Sequence, residues 1–234
     1  MTGTLRGLGV GPGDPELITL KAVRLLRAAP VVAYPLPEAG ESLARAIAAP
    51  YLAAGRREIP IPIPIGTGGA PLEAAYDRGA EAVAGELEAG RDVVFLCEGD
   101  PLFYGSFVYL SERLAGRFPV ETVPGVTSVA ACAAALGAAL AVRDEVFVVL
   151  PATLDAARLA AKLGGADAAA ILKVGRHFAK VRGVLERAGL AGRARYVEHA
   201  TLPAERVLAL DKVDPAAVPY FSMVLVGGRR GGTT

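Results

Sequence analysis

The sequence predicts an α/β protein of two lobes, with mixed, largely parallel sheets and a cleft between the lobes. Three observations carry that expectation. Short apolar runs rich in β-branched residues, such as Asp92-Val93-Val94-Phe95-Leu96, alternate along the chain with segments of helical spacing. Turns of small residues follow several of these runs, where a parallel strand hands over to a helix. A composition break near Phe118-Pro119 then divides the chain into residues 1–118 and 119–234.

A chain of 234 residues is long enough for one large domain or two small ones, each with its own core. Hydrophobic residues make up 53% and charged ones 21%, which excludes a disordered tail protein. With a net charge of +1, nothing points to a nucleic-acid or polyanion partner. The longest apolar stretches, such as residues 130–142, are alanine-rich and too short for a membrane span. No charged start leads into an apolar region and cleavage site, so no signal peptide is expected. Cys97 and Cys132 form no close pair, and His177 and His199 are too few to complete a metal site. The expectation is a reduced, cytoplasmic, metal-free polypeptide.

Residues 5–10 read as a first buried strand running into Gly9-Val10-Gly11-Pro12-Gly13-Asp14-Pro15. Asp14 suits an N-cap and Pro15 the first helical position, and Ile18, Ala22, Leu25 and Ala29 fall on one stripe. The spacing Gly-x-Gly-x-Gly encloses Pro12, and no Gly-x-Gly-x-x-Gly is present, so no nicotinamide site is expected. The second strand, Val31-Val32-Ala33-Tyr34, ends at Pro35, and a helix follows over residues 41–51. Prolines at 60, 62 and 64 remove three backbone donors from the run at 59–65, which makes it an edge strand or an extended surface segment. A flexible turn at 66–69 and a helix over 71–88 lead to the strand at 92–96.

The loop after that strand is Cys97-Glu98-Gly99-Asp100-Pro101-Leu102-Phe103-Tyr104-Gly105, with a helix expected over residues 103–117. Read plainly, Gly99 supplies an unusual torsion and Asp100 caps the helix. Read functionally, the turn brings bare backbone and one carboxylate to the crevice at the carboxyl ends of the strands. Another strand at 120–123 leads to Pro124-Gly125-Val126-Thr127-Ser128 and an alanine-rich helix over 129–140, whose small side chains admit close approach. The second half continues with strands at 146–150 and 168–174 and helices at 154–163 and 178–188. Strands at 194–198, 206–210 and 221–226 follow with no helix between them, which predicts antiparallel edges. His177 and His199 read as surface or structural residues, and Arg176, His177 and Arg193 could equally face an anion.

Taken together, the turns at 9–15, 98–101 and 124–128, with Leu17-Ile18-Thr19-Leu20-Lys21-Ala22 after the first, resemble the tetrapyrrole methylases. The resemblance covers essentially the whole chain. Within that family, Glu98-Gly99-Asp100-Pro101-Leu102-Phe103-Tyr104-Gly105-Ser106-Phe107 is most similar to the enzymes that methylate precorrin-2 at carbon 20. The segments Lys173-Val174-Gly175-Arg176, Ala200-Thr201-Leu202-Pro203-Ala204-Glu205 and Tyr220-Phe221-Ser222 point the same way. One departure is Glu198-His199-Ala200, where those enzymes more often carry an arginine. The resemblance implies a cleft that holds S-adenosylmethionine, left as S-adenosylhomocysteine, with no protein-bound metal. It also implies a tetrapyrrole substrate, a homodimer, and precorrin-3A as product. By motif, the cofactor would touch Pro12, Gly99, Asp100, Phe103, Thr127, Ser128 and Val174; Asp100 and Tyr104 are the candidates for catalytic polar roles on the substrate side. The alternatives are a cobalt-bearing substrate (cobalt-factor II), another ring position, or a non-catalytic nucleotide or cofactor sensor built on the same turns.

Overall fold

The computed structural model describes residues 2–38, 40–64 and 69–228. The chain divides into two compact units, Met1–Thr127 and Ser128–Thr234. In the first unit the strands β1 (Leu5–Gly9), β2 (Val31–Pro37), β3 (Arg57–Ile63), β4 (Val93–Cys97) and β5 (Val120–Val123) form one sheet. Their order is β3-β2-β4-β1-β5 and every neighbouring pair is parallel. Because β5 pairs with β1 from Leu5↔Val120 to Leu8↔Val123, the division falls after Thr127 and not near Phe118-Pro119.

The helices α1 (Leu20–Ala28), α2 (Leu43–Ala48), α3 (Ala70–Glu88) and α4 (Phe107–Leu114) connect these strands. The chain steps one way along the sheet from β1 to β3, then reverses through β4 to β5. Right-handed crossovers then require the two pairs of helices to lie on opposite faces. They do: α1 and α2 cover Leu8, Val32, Val94 and Leu96, while α3 and α4 cover Leu5, Val31, Ala33 and Phe95. Between β1 and β2, β4 is buried at all five positions, as its continuous apolar run requires.

Several local expectations shift. Asp14 caps the 3-10 turn Pro15–Leu17, while Thr19 Oγ1 accepts the Ala22 N–H and starts α1. The helix therefore buries Ala22, Leu26 and Ala29, at i, i+4 and i+7, and leaves Leu25 partly buried. The strand β2 runs on to Pro37 because only Val31–Ala33 pair with β4, so Pro35 and Pro37 need no donor on that side. As the prolines demand, β3 is an edge strand. Ile65 and most of the turn expected at 66–69 lie outside the described residues.

The second unit holds α5 (Ser128–Leu136), β6 (Phe147–Pro151), α6 (Ala156–Leu163), β7 (Ala168–Leu172), α7 (Phe178–Arg187), β8 (Ala194–Glu198), β9 (Arg206–Ala209) and β10 (Ser222–Val226). Its sheet order is β6-β7-β10-β8-β9, with β6 and β7 parallel and the other three pairs antiparallel. The expectation of mixed, largely parallel sheets holds: the first sheet is wholly parallel and the second is the mixed one. The antiparallel pairing reaches the centre, where β10, buried at all five positions, inserts between β7 and β8. On one face α6 and α7 pack over Leu150, Ile171 and Val224; on the other, α5 packs over Ala170, Val197 and Met223. The alanine-rich helix stops at Leu136 because Gly137 turns to φ 66°. Among the described residues, no helix is long and apolar enough to cross a membrane.

Candidate functional site

Ligands of open α/β sheets bind where helices leave adjacent strands toward opposite faces. In the first unit that place is the carboxyl end of β4, between β1 and β2, because α4 leaves on one face and α1 and α2 on the other. All three turns singled out in this half of the sequence converge there. Gly99 N donates to Gly11 O at 2.7 Å, and Gly11 N donates back to Gly99 O at 3.4 Å, forming a two-residue bridge. The turn after β5 closes against both: a Cβ on Gly125 would lie 2.1 Å from Gly99 O and 2.8 Å from Gly9 Cα. A Cβ on Gly9 would meet Gly125 and Gly99 O at 2.6 Å. These glycines are needed because backbone packs on backbone, with no room for any side chain.

Asp100 joins the turns. Its Oδ1 accepts the N–H groups of Leu102 (2.9 Å) and Phe103 (3.1 Å), and its Oδ2 accepts that of Gly125 (3.0 Å). The carboxylate thus closes its own loop and pins the next one. That loop delays α4 to Phe107, four residues beyond the expected start at 103, because residues 101–104 are bent and not helical. Gly105 is required here too, since a Cβ would fall 2.5 Å from Pro101 O. The loop presents Leu102, Phe103 and Tyr104 outward, 63%, 39% and 47% exposed. Phe103 and Tyr104 meet edge to face at 5.4 Å, and Tyr104 takes a positive φ of 58°, a strained conformation for a bulky residue. Pro12 and Thr127 are partly buried in the neighbouring turns, and Ser128 is exposed as the first residue of α5.

Sequence reasoning passed over Glu98, although it stands inside the same motif. Its Oε1 accepts the Ala44 N–H at the start of α2 (3.3 Å), and burial raises its pKa, opposed by that bond and by its own N–H. Next to it, burial pushes the Cys97 thiol far up, so this cysteine is an inert core group. Tyr76 is likewise raised to about 12 by burial, against a hydrogen bond with Ser106. The available signal was position: an acid directly after a fully buried strand has to find a partner inside.

In the second unit the turn after β7 carries Lys173 at φ 57° and Gly175 at φ 29°. Val174 is fully buried in the core with Phe178 and Leu150, so this turn offers a ligand its backbone and not the valine side chain. The anion trio suggested by sequence does not assemble. Arg176 and His177 follow the carboxyl end of β7, whereas Arg193 precedes β8, which runs in the same direction. Arg193 instead donates to the carbonyls of Gly227 and Asp167. Burial first, then the charges of Lys180 and Arg176, lower the His177 pKa. Among the described residues, no group of three or more His, Cys, Asp or Glu is placed to hold a metal ion.

A family model described as Tetrapyrrole (Corrin/Porphyrin) Methylases matches residues 4–213. The chain belongs to that family. The chain is 47% identical over 237 residues to the cobalamin biosynthesis protein CobIJ of Mycobacterium tuberculosis, covering 97% of this chain and 47% of the relative. It therefore spans about half the length of those mycobacterial relatives. It is 45% identical to a precorrin-2 C(20)-methyltransferase of Sinorhizobium sp, over 97% of this chain and 96% of that one. A cobalt-precorrin-2 C(20)-methyltransferase of Salmonella typhimurium is 35% identical, over 97% of both. Among solved structures, the cobalt precorrin-4 methyltransferase CbiF superposes with a TM-score of 0.75 at 26% identity, covering 96% of this chain and 94% of that one. A uroporphyrin-III C-methyl transferase from Thermus thermophilus, complexed with S-adenyl homocysteine, gives 0.69 at 27% identity, covering 96% and 92%.

Proposed function

We propose that this methylase transfers a methyl group from S-adenosylmethionine to carbon 20 of precorrin-2, giving precorrin-3A. The observation that carries the proposal is the 45% identity to a precorrin-2 C(20)-methyltransferase along nearly the whole of both chains. The residues fit the cofactor. Three glycine-rich turns offer backbone groups, Thr127 and Ser128 offer small hydroxyls, and Phe103 offers an exposed apolar face. Pro12, Gly99, Thr127, Ser128 and the backbone at Val174 are the contacts in this reading. When bound, the cofactor supplies an already activated sulfonium methyl.

The protein's own part is then positioning and exclusion of water. Asp100 enters as the residue that fixes the turns, in place of the substrate-side role expected from sequence, because both of its oxygens already accept backbone N–H groups. Tyr104, held outward by its strained backbone, is the substrate-side polar group of this reading. Exposed arginines suit the macrocycle's carboxylates. The working form is a cytoplasmic homodimer without a protein-bound metal, which sedimentation and metal analysis of the purified protein would check.

A second reading, favoured by the 35% identity to the cobalt-precorrin-2 enzyme, has a cobalt-bearing substrate. One assay separates the two: metal-free and cobalt-bearing precorrin-2 are each supplied with S-adenosylmethionine labelled in the methyl group, and the product is located by NMR. The expected result is one label at carbon 20 of the metal-free ring. Turnover of the cobalt form alone selects the second reading, and a label on a peripheral pyrrole carbon overturns both.

A further inference from the structure

Four of the second unit's backbone positions with positive φ gather at one end of its sheet: Lys173, Gly175, His199 and Thr201. They lie just past the carboxyl ends of β7 and β8, beside the start of β10. Strained backbone of this kind persists only where its surroundings hold it, and it concentrates at functional sites. The same end exposes Tyr220 (65%) and Phe221 (40%), which meet edge to face at 5.1 Å.

What holds this end is a polar chain through the core. Arg206 NH1 donates to Glu198 Oε1 at 3.0 Å, and the Tyr196 hydroxyl donates to Glu198 Oε2 at 2.5 Å. Ser222 stands directly across from Glu198 in the β8–β10 pairing, and Tyr196 lies two residues along β8 on the same face. Ser222 Oγ donates to Pro219 O at 2.7 Å and accepts the Gly175 N–H at 3.3 Å. From the other side, His199 N donates to Phe221 O at 2.9 Å. Tyr196 is fully buried, and Glu198 and Ser222 are the buried polar residues of this unit among those described. Burying such groups is costly unless each is satisfied, and once satisfied they specify one geometry.

We infer that Ser222, backed by Tyr196, Glu198 and Arg206, is a positioning residue that sets the Lys173–His177 turn for S-adenosylmethionine. The inference rests on the reading of that turn as part of the cofactor site. Ser222 ties the turn's backbone to Pro219, and through it to the aromatic pair.

The test is calorimetry with S-adenosylhomocysteine on the wild type, Ser222→Ala, Ser222→Thr and Tyr196→Phe, with steady-state kinetics and hydrogen exchange at the Gly175 amide. Wild-type binding is measured first, and its absence removes both the functional reading and this inference. Given wild-type binding, Ser222→Ala should weaken it roughly fivefold, the worth of one neutral hydrogen bond. The KM for S-adenosylmethionine should rise with kcat nearly unchanged, and exchange at Gly175 should quicken. Ser222→Thr keeps the hydroxyl and should restore affinity. Tyr196→Phe, which retains the ring in the core, should show a smaller shift in the same direction and serves if Ser222→Ala does not fold. Wild-type affinity in Ser222→Ala, or in Tyr196→Phe as its substitute, overturns the inference and leaves the functional reading standing.

Discussion

The contact between the three turns of the first unit can be tested at Gly125. In Gly125→Ala the new Cβ would stand 2.1 Å from Gly99 O, more than 1 Å short of the 3.4 Å at which ordinary contact begins. The obstacles, Gly99 O and the Gly9 backbone, cannot swing aside as a side chain could. Either the turn after β5 retreats or β1 and β4 part at their ends. Overpacking of this kind costs about 1–3 kcal/mol. Retreat also breaks the bond from Gly125 N to Asp100 Oδ2, and a bond to a charged group is worth about 1.5–3 kcal/mol. Together these approach roughly half of a typical folding stability of about 5–15 kcal/mol. Urea unfolding should show a lower midpoint with an unchanged slope, and binding of S-adenosylhomocysteine by the folded fraction should fall at least tenfold. Gly116→Ala is the control, since a Cβ there meets nothing within 4 Å. If Gly125→Ala unfolds and binds as Gly116→Ala does, the turns are not packed as described and their role in ligand binding loses its basis.

Asp100→Asn keeps one acceptor oxygen but places an NH2 against an N–H. It should destabilise the protein by about 1.5–3 kcal/mol and weaken cofactor binding, without the shift in the pH–rate profile that loss of a catalytic base would produce. Glu98 should make stability depend on pH in the sense opposite to a salt-bridged carboxylate. Its folded pKa lies above the ordinary 4.5, so from pH 4.5 upward the unfolded chain releases the proton first and stability falls. In Glu98→Gln that fall should vanish, and unfolding midpoints compared across this range would show wild type and variant drawing together or crossing as pH rises.

How far the fold could be read depended on whether each feature rests on local chemistry. Proline removes a donor wherever it stands, so Pro60 and Pro62 announced an edge strand, and β3 is one. The alternation of apolar runs and helical segments gave the α/β architecture for the same reason. Pairing between distant segments left no such trace. Nothing in Ser222-Met223-Val224-Leu225-Val226 says that it inserts between β7 and β8, and nothing near Phe118-Pro119 says that β5 will join the sheet of β1. At the candidate site the glycine turns were legible as turns, but their mutual contact was not. Asp100 was singled out from its own motif, yet its partner Gly125 stands 25 positions away, which no local reading could supply. Val174 shows the converse: its motif was visible, and its side chain points into the core.

The buried or half-buried acids of both units answer a common physical demand. Where strands end, the backbone leaves the ladder and its N–H groups lose their sheet partners, yet a turn that receives a ligand cannot be left loose. In the first unit Asp100 accepts three such groups and Glu98 a fourth, at the start of α2. In the second, Glu198 anchors Tyr196 behind Ser222, which accepts the Gly175 N–H. A carboxylate with its oxygens so engaged is a poor general base, because taking a proton would release the loops it holds. Methyl transfer from a sulfonium to an electron-rich carbon asks mainly for alignment, so a site whose acids serve the backbone agrees with that chemistry better than one that leaves them free. Substitutions at Asp100 and Ser222 should therefore appear first in cofactor affinity, whereas a dedicated base would appear first in kcat.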